Sequence, residues 1–203
     1  MRRRSYQQKR RAEQLEQKRD SIVRATVALH AKHGVLGTSY PMIAARARVS
    51  TQTVYNHFPD LGQLIDACTG HVTPQAPAVT PEVLKPGRGP AHRLRLLANA
   101  VYAQHDYLEP WMRFAWHEAR AIPELQAMQD QATAGLKQLI ALAVKPELVA
   151  SPGFVDAALA LLAYPGWKQL SQGRSGDAAV KLAGDCLAAL LPALTSASKK
   201  EKS

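Results

Sequence analysis

The sixteen residues from 43 to 58, IAARARVSTQTVYNHF, constrain this chain most, because they hold two short helical patterns with room between them only for a tight turn. Ile43 and Ala47 stand one turn apart on one face, and Ala44 and Ala45 are small enough to let that helix lie close against another. Ser50 has the chemistry of an N-cap, since its hydroxyl can accept from an orphan amide of the following turn. Val54 and Phe58, four apart, point inward. Thr51, Gln52, Tyr55 and Asn56 then face outward, and hydroxyls, amides and a phenol are the groups that read base edges in a major groove. Around them Ser39, Arg46, Arg48, Ser50, Thr53 and His57 are candidates for holding phosphates. The pattern reads as a helix-turn-helix.

Charge argues in the same direction. Residues 1–60 hold 12 Lys and Arg against 4 Asp and Glu, whereas residues 61–203 hold 14 against 12. Nearly all of the net +10 therefore lies in the first third of the chain, the footprint of a module that neutralises a polyanion. A membrane surface would demand a long apolar face beside those charges, and residues 1–18 offer only Met1, Tyr6, Ala12 and Leu15. Double-stranded DNA is the better partner. Residues 1–20, with Arg2 to Arg4 and Lys9 to Arg11, form a basic arm that either grips DNA or stays solvated. That segment has neither the apolar run nor the small-residue site of a secretory signal, and no stretch reaches eighteen consecutive apolar residues. The expectation is a cytoplasmic protein with no membrane partner.

The order of residues resembles the DNA-binding segment of the tetracycline-repressor (TetR) family of bacterial transcription regulators. Ile22, Ala25 and Leu29 followed by Gly34 are similar to that family's first helix and its glycine stop, and Thr38 and Ser39 to its hydroxyl pair. Tyr55, His57 and Phe58 resemble the end of its reading helix, and Asp60 to Leu64 the start of its fourth helix. Two positions depart from the pattern. Arg48 stands where the family usually has a turn glycine, and a left-handed backbone there would cost arginine about 1–2 kcal/mol. Leu61 stands where many relatives carry a lysine that contacts the DNA backbone.

Length leaves more than a hundred residues beyond such a head for a second core. Between residues 73 and 90, Pro74, Pro77, Pro81, Pro86 and Pro90 interrupt helical periodicity, so this stretch reads as a linker or loop. Apolar residues at helical spacing then run from Leu94 to Leu108, a new helix is expected to begin at Pro110, and another covers residues 123–144. Alternating strand patterns are absent. The expected fold is all-α: arm 1–20, helix-turn-helix DNA-binding domain 21–72, linker 73–90, helical ligand-binding and dimerisation domain 91–198, tail 199–203.

Two-thirds of the Phe, Trp and Tyr residues lie between positions 102 and 167. Tyr102, His105, Trp111, Met112, Phe114, Trp116, His117, Met128, Tyr164 and Trp167 would line a pocket for an apolar or aromatic effector, or else fill an ordinary aromatic core. As a property of the domain, binding of a small-molecule effector is implied by the family resemblance. The segments 154–172 and 177–194 resemble the pair of helices through which that family dimerises, with Leu159, Leu162, Ala183, Leu187, Leu190 and Leu191 as interface candidates. A hairpin packed within its own subunit is the alternative. Pro165 and Gly166 should interrupt the first of the pair.

The resemblance implies a homodimeric repressor, and a two-fold dimer reads an inverted-repeat operator. A non-specific or architectural DNA-binding protein is the first rival. An enzyme is the remote one: Ser50, Ser151 and Ser171 lie in no Gly-x-Ser-x-Gly elbow, and Cys68 and Cys186 have no motif context. His105 with Glu109 falls short of the three or four ligands of a metal site. No catalytic residue, metal or cofactor is expected.

Overall fold

The computed structural model describes residues 2–192, and the side chains of residues 2–5 lie outside that description. The cationic side chains Arg2 to Arg4, residue 194 and the tail 199–203 therefore fall outside the described residues. Those residues contain nine α-helices and no strand. They are α1 (Arg2–His33), α2 (Tyr40–Ala47), α3 (Thr51–His57), α4 (Leu61–Val72), α5 (Pro90–Glu118), α6 (Pro123–Val144), α7 (Pro152–Leu162), α8 (Tyr164–Ser171) and α9 (Gly176–Leu190). The described residues form two compact units, one of residues 2–76 with 113–126 and the other of residues 77–112 with 127–192.

In the first unit Ile22, Val23, Ala25 and Leu29 of α1 pack with Ile43 and Ala44 of α2, Val54 of α3, Phe58, and Leu64 and Cys68 of α4. Ala45, expected at a close helix contact, is instead exposed, because Ala44 already takes the position beside Ile43 facing this core. The helix ends are set by the sequence. Ser39, Ser50 and Asp60 cap α2, α3 and α4, accepting from the amides of Met42, Thr53 and Gln63. Gly34 ends α1 at φ +74°, where a Cβ would overlap the Glu118 carboxylate.

Residues 113–126 lie with this unit, although helical periodicity alone groups them with the remainder of α5 and α6. Arg113 donates to the Ala31 carbonyl at 2.8 Å, and Glu118 accepts from the amides of Val35 and Leu36. Polar bonds of this kind leave no periodic signature. The helix expected to start at Pro110 does not start there: α5 runs through that proline. An interior proline costs about 3 kcal/mol. The helix is held on both sides of it, by burial of Leu94, Leu97, Val101 and Tyr102 before the proline and by the bonds of Arg113 and Glu118 after it.

The second unit packs α5 up to residue 112, α6 from residue 127, α7, α8 and α9 around Leu97, Ile140, Ala158, Leu162, Ala183 and Leu187, all fully buried. Arg93 closes the end of α6, donating to the carbonyls of Ala143 and Lys145 at 2.7 and 2.6 Å, so the last carbonyls find a cationic partner. Its pairing with Glu147 holds that carboxyl below the ordinary range. The proline-rich stretch is more ordered than a plain linker. Residues 77–90 belong to this unit, Pro81–Leu84 form a 3-10 turn that buries Leu84, and Gln104 donates to the Pro77 carbonyl at 3.0 Å.

The interruption expected at Pro165 divides α7 from α8 at Ala163, whose backbone is extended. In a continuous helix Pro165 would have no amide for the carbonyl of Leu161 and its ring would clash with that carbonyl, whereas it suits the first turn of α8. At Gly166 a Cβ would overlap the carbonyl oxygens of Ala160 and Leu161, so only glycine permits this approach.

Candidate nucleic-acid interface

The helix-turn-helix begins with Tyr40, which sequence periodicity does not single out. Its hydroxyl donates to the Phe58 carbonyl at 3.0 Å, and its ring meets that of Tyr55 at 4.4 Å between centroids. α2 and α3 are thereby tied together at the side opposite the turn. The turn itself is made by Arg48 in the left-handed region, φ 58° and ψ 44°, the only non-glycine residue with positive φ among those described. The Arg48 amide bonds the Ala45 carbonyl and the Val49 amide the Ala44 carbonyl, the paired bonds of a Schellman ending. Arginine thus takes the conformation that glycine adopts without cost, and its side chain is exposed.

Val54 and Phe58, 0% and 1% exposed, anchor α3, while Gln52, Tyr55 and Asn56 are exposed and Thr51 is half-buried. Gln52 donates to Asn56 at 2.9 Å, so two of the four base-reading candidates hold each other in the free protein. Contact with a base edge has to replace or extend that bond. Among the phosphate candidates, Ser39, Arg46, Arg48 and Ser50 are exposed, and Thr53 and His57 are half-buried. The Ser50 hydroxyl accepts from the Thr53 amide at 3.1 Å and lies 2.8 Å from the Thr53 hydroxyl. Capping uses an oxygen lone pair and the contact between the two hydroxyls uses one of their protons, which leaves the other as a donor to an anion. Leu61 is 36% exposed beside this motif. Arg19 of α1 stacks over the Phe58 ring at 5.1 Å, a cation in contact with the end of α3 that helical spacing alone does not reveal.

The effector candidates do not all fall in one unit. Phe114, Trp116 and His117 belong to the first, Phe114 under the Arg113 guanidinium at 4.9 Å and His117 exposed. The bonds of Arg113 and Glu118 keep that end of α5 beside α1. In the second unit His105, Tyr164 and Trp167 form a buried cluster with ring centroids 5.3 to 5.9 Å apart. Tyr102 donates to the Leu161 carbonyl at 2.9 Å, and His105 Nε2 lies 2.9 Å from the Leu162 carbonyl. The other His105 nitrogen, Nδ1, is buried without a hydrogen-bond partner. Burial pushes His105 below the usual imidazole range despite the Leu162 carbonyl and Asp106, and burial lifts Tyr102 to about 12. Trp111, Met112 and Met128 are half-buried.

Of the interface candidates on α7 and α9, Leu162, Ala183 and Leu187 are 0% exposed within a single protomer. They pack its core and offer no surface to a partner, which corrects their assignment to an interface. Leu159, Leu190 and Leu191 are half-buried. The thiols of Cys68 and Cys186 are free, and burial raises Cys68 to about 12. Glu109 pairs with Lys168 at 2.7 Å, and no group of three metal-ligating side chains occurs among the described residues. None of their helices is long and apolar enough to cross a membrane.

Residues 22–68 match the model of the bacterial regulatory proteins, tetR family. The fold is similar to that of a Mesorhizobium loti protein assigned to the TetR family of transcriptional regulators, at 20% identity over 88% of this chain and 97% of the other, with a TM-score of 0.64. It is similar also to a TetR-like transcriptional regulator from a Rhodococcus species, at 19% identity over 87% and 96% of the two chains and a TM-score of 0.62. A Clostridium perfringens protein assigned as a fatty acid metabolism regulator aligns at 13% identity over 81% and 94%, with a TM-score of 0.58. No curated protein matches the sequence.

Proposed function

We propose, from the match of its segment 22–68 to the tetR family of bacterial regulatory proteins, that this chain is a homodimeric repressor of an inverted-repeat operator, released by a small apolar or aromatic effector. The observation that carries this reading is the construction of α3: Ser50 caps it, Val54 and Phe58 anchor it, and Gln52, Tyr55 and Asn56 stand on its exposed side. Amides and a phenol on an anchored helix supply the donors and acceptors that base edges require. Thr51 completes the base-reading set, and Ser39, Arg46, Arg48, Ser50, Thr53 and His57 the phosphate set.

A helix of seven residues spans only a few base pairs, so two copies related by a two-fold axis are needed to specify a site. The half-buried Leu159, Leu190 and Leu191 are the remaining candidates for that contact. The effector would bind within the second unit, where His105, Tyr164 and Trp167 combine apolar rings with an unpartnered Nδ1. It acts on DNA binding only to the extent that it prefers one of the two states of the dimer.

The test is selection of genomic fragments by the purified protein at near-physiological salt with competitor DNA. Enrichment of an inverted repeat is expected, and compounds suggested by the adjoining genes should weaken binding to it. Retention of DNA without sequence preference would overturn the reading in favour of a non-specific binder.

A further inference from the structure

We propose that the N-terminal half of α1 is a second DNA-contact element, which lays a cationic stripe along phosphates flanking the site met by α3. This rests on the DNA-binding reading above. Residues 6–20 are helical and exposed at every position. A free-standing helix of that length is marginal in water, and one that is polar all round has no packing to hold it.

Its acids are confined to one side of the helix. Gln7, Arg11, Gln14, Lys18 and Ser21 succeed one another at spacings of four, three, four and three, so they form one line along the helix, with Arg10 beside it. Glu13, Glu16 and Asp20, all the acids of the segment, share a second line about 150° away around the axis, with Lys9 among them. Opposite charges at three and four residue spacing stabilise a solvated helix, as Lys9 with Glu13 does, but neither Arg11 nor Lys18 has an acid at that spacing. Here one face offers cations and amides alone, the groups that donate to phosphate oxygens.

The stripe also has a fixed root. Ser21, its last member, donates to the carbonyl of Ala47 at the end of α2, 3.3 Å away, and Arg19 covers Phe58 just beyond α3. The cationic line thus runs into the helix-turn-helix. In such motifs the helix preceding the reading helix crosses the DNA backbone, so groups leading from its end meet phosphates. A membrane surface is the poorer fit. Tyr6 and Leu15, the large apolar side chains of the segment, are nine residues apart and lie on opposite faces, so no apolar face exists to insert.

The test compares the full-length protein with the triple variant Arg10→Gln, Arg11→Gln, Lys18→Gln. The probes are a fluorescein-labelled duplex recovered by genomic selection and a scrambled duplex of equal length, titrated over a range of salt. The variant should bind the selected duplex roughly 10- to 100-fold more weakly, its salt slope reduced by roughly 2 to 3 per protomer, with preference over the scrambled duplex retained. The triple variant Glu13→Gln, Glu16→Gln, Asp20→Asn should leave the slope unchanged. Hydroxyl-radical footprinting of the wild-type complex should protect sugars outside the selected sequence element. An unchanged slope in the cationic variant, or no protection beyond that element, overturns the proposal. So does loss of sedimentation with phosphatidylglycerol vesicles in that variant while DNA binding stays intact. Failure of the wild-type chain to prefer any duplex would instead overturn the DNA-reading function itself.

Discussion

Glu118 of α5 and Val35, two residues past the end of α1, are joined by a 2.8 Å hydrogen bond from the Val35 amide, and the other carboxylate oxygen accepts from Leu36 at 3.2 Å. Val35 is buried, so without Glu118 its amide loses its partner where water is scarce. Glu118→Ala should therefore destabilise the protein by about 1–3 kcal/mol, and Glu118→Gln by less, since one amide oxygen can still accept. Urea unfolding of the two variants, followed by circular dichroism, checks both the loss and its order.

Arg48 occupies a backbone conformation that favours glycine. Arg48→Gly should stabilise the fold by about 1 kcal/mol while weakening DNA binding if the guanidinium holds a phosphate. Melting temperature and DNA affinity are expected to move in opposite directions. An affinity that does not fall would remove Arg48 from the phosphate set.

Tyr55 is 49% exposed, whereas the Tyr40 hydroxyl holds the Phe58 carbonyl. Tyr55→Ala should cut affinity for a selected operator with little change in unfolding midpoint. Tyr40→Phe should cost about 1 kcal/mol of stability through the lost hydrogen bond. Measuring both properties for both variants separates a reading residue from a supporting one, and collapse of folding in Tyr55→Ala would make Tyr55 structural.

Burial lowers His30 from 6.5 to about 4. Between these values the unfolded chain binds a proton that the folded chain refuses, so stability rises with pH. The folded state is free of this penalty above pH 6.5 and loses up to about 1.4 kcal/mol per pH unit as pH falls toward 4. His105 is shifted in the same direction, again by burial. Unfolding free energies from about pH 7.5 to about pH 4.5 should show this decline, and His30→Asn should flatten it.

The first unit was legible because its signals are local. Ser50 before a helical run, Val54 four residues from Phe58, and Asp60 before Leu61 each specify a cap or a buried face within one or two turns. Tyr40 and Glu118 were not legible, because their roles are hydrogen bonds to backbone atoms 18 and 83 residues away, and such partners impose no spacing. For Leu162, Ala183 and Leu187 the small and apolar pattern was visible, but an interface and a protomer core demand the same residue types.

The sequence by itself determined the helical class, the helix-turn-helix with its caps and outward side chains, and the concentration of positive charge in the first third of the chain. These depend on periodicity, capping chemistry and charge count, which act over a few residues or need no geometry. Only the tertiary structure decided that α5 continues through Pro110, that residues 113–126 join the first unit, and that the line from Gln7 to Ser21 ends at Ala47. Each of those outcomes depends on burial or hydrogen bonding between segments distant in the chain, whose free energies override the local preference of any single residue.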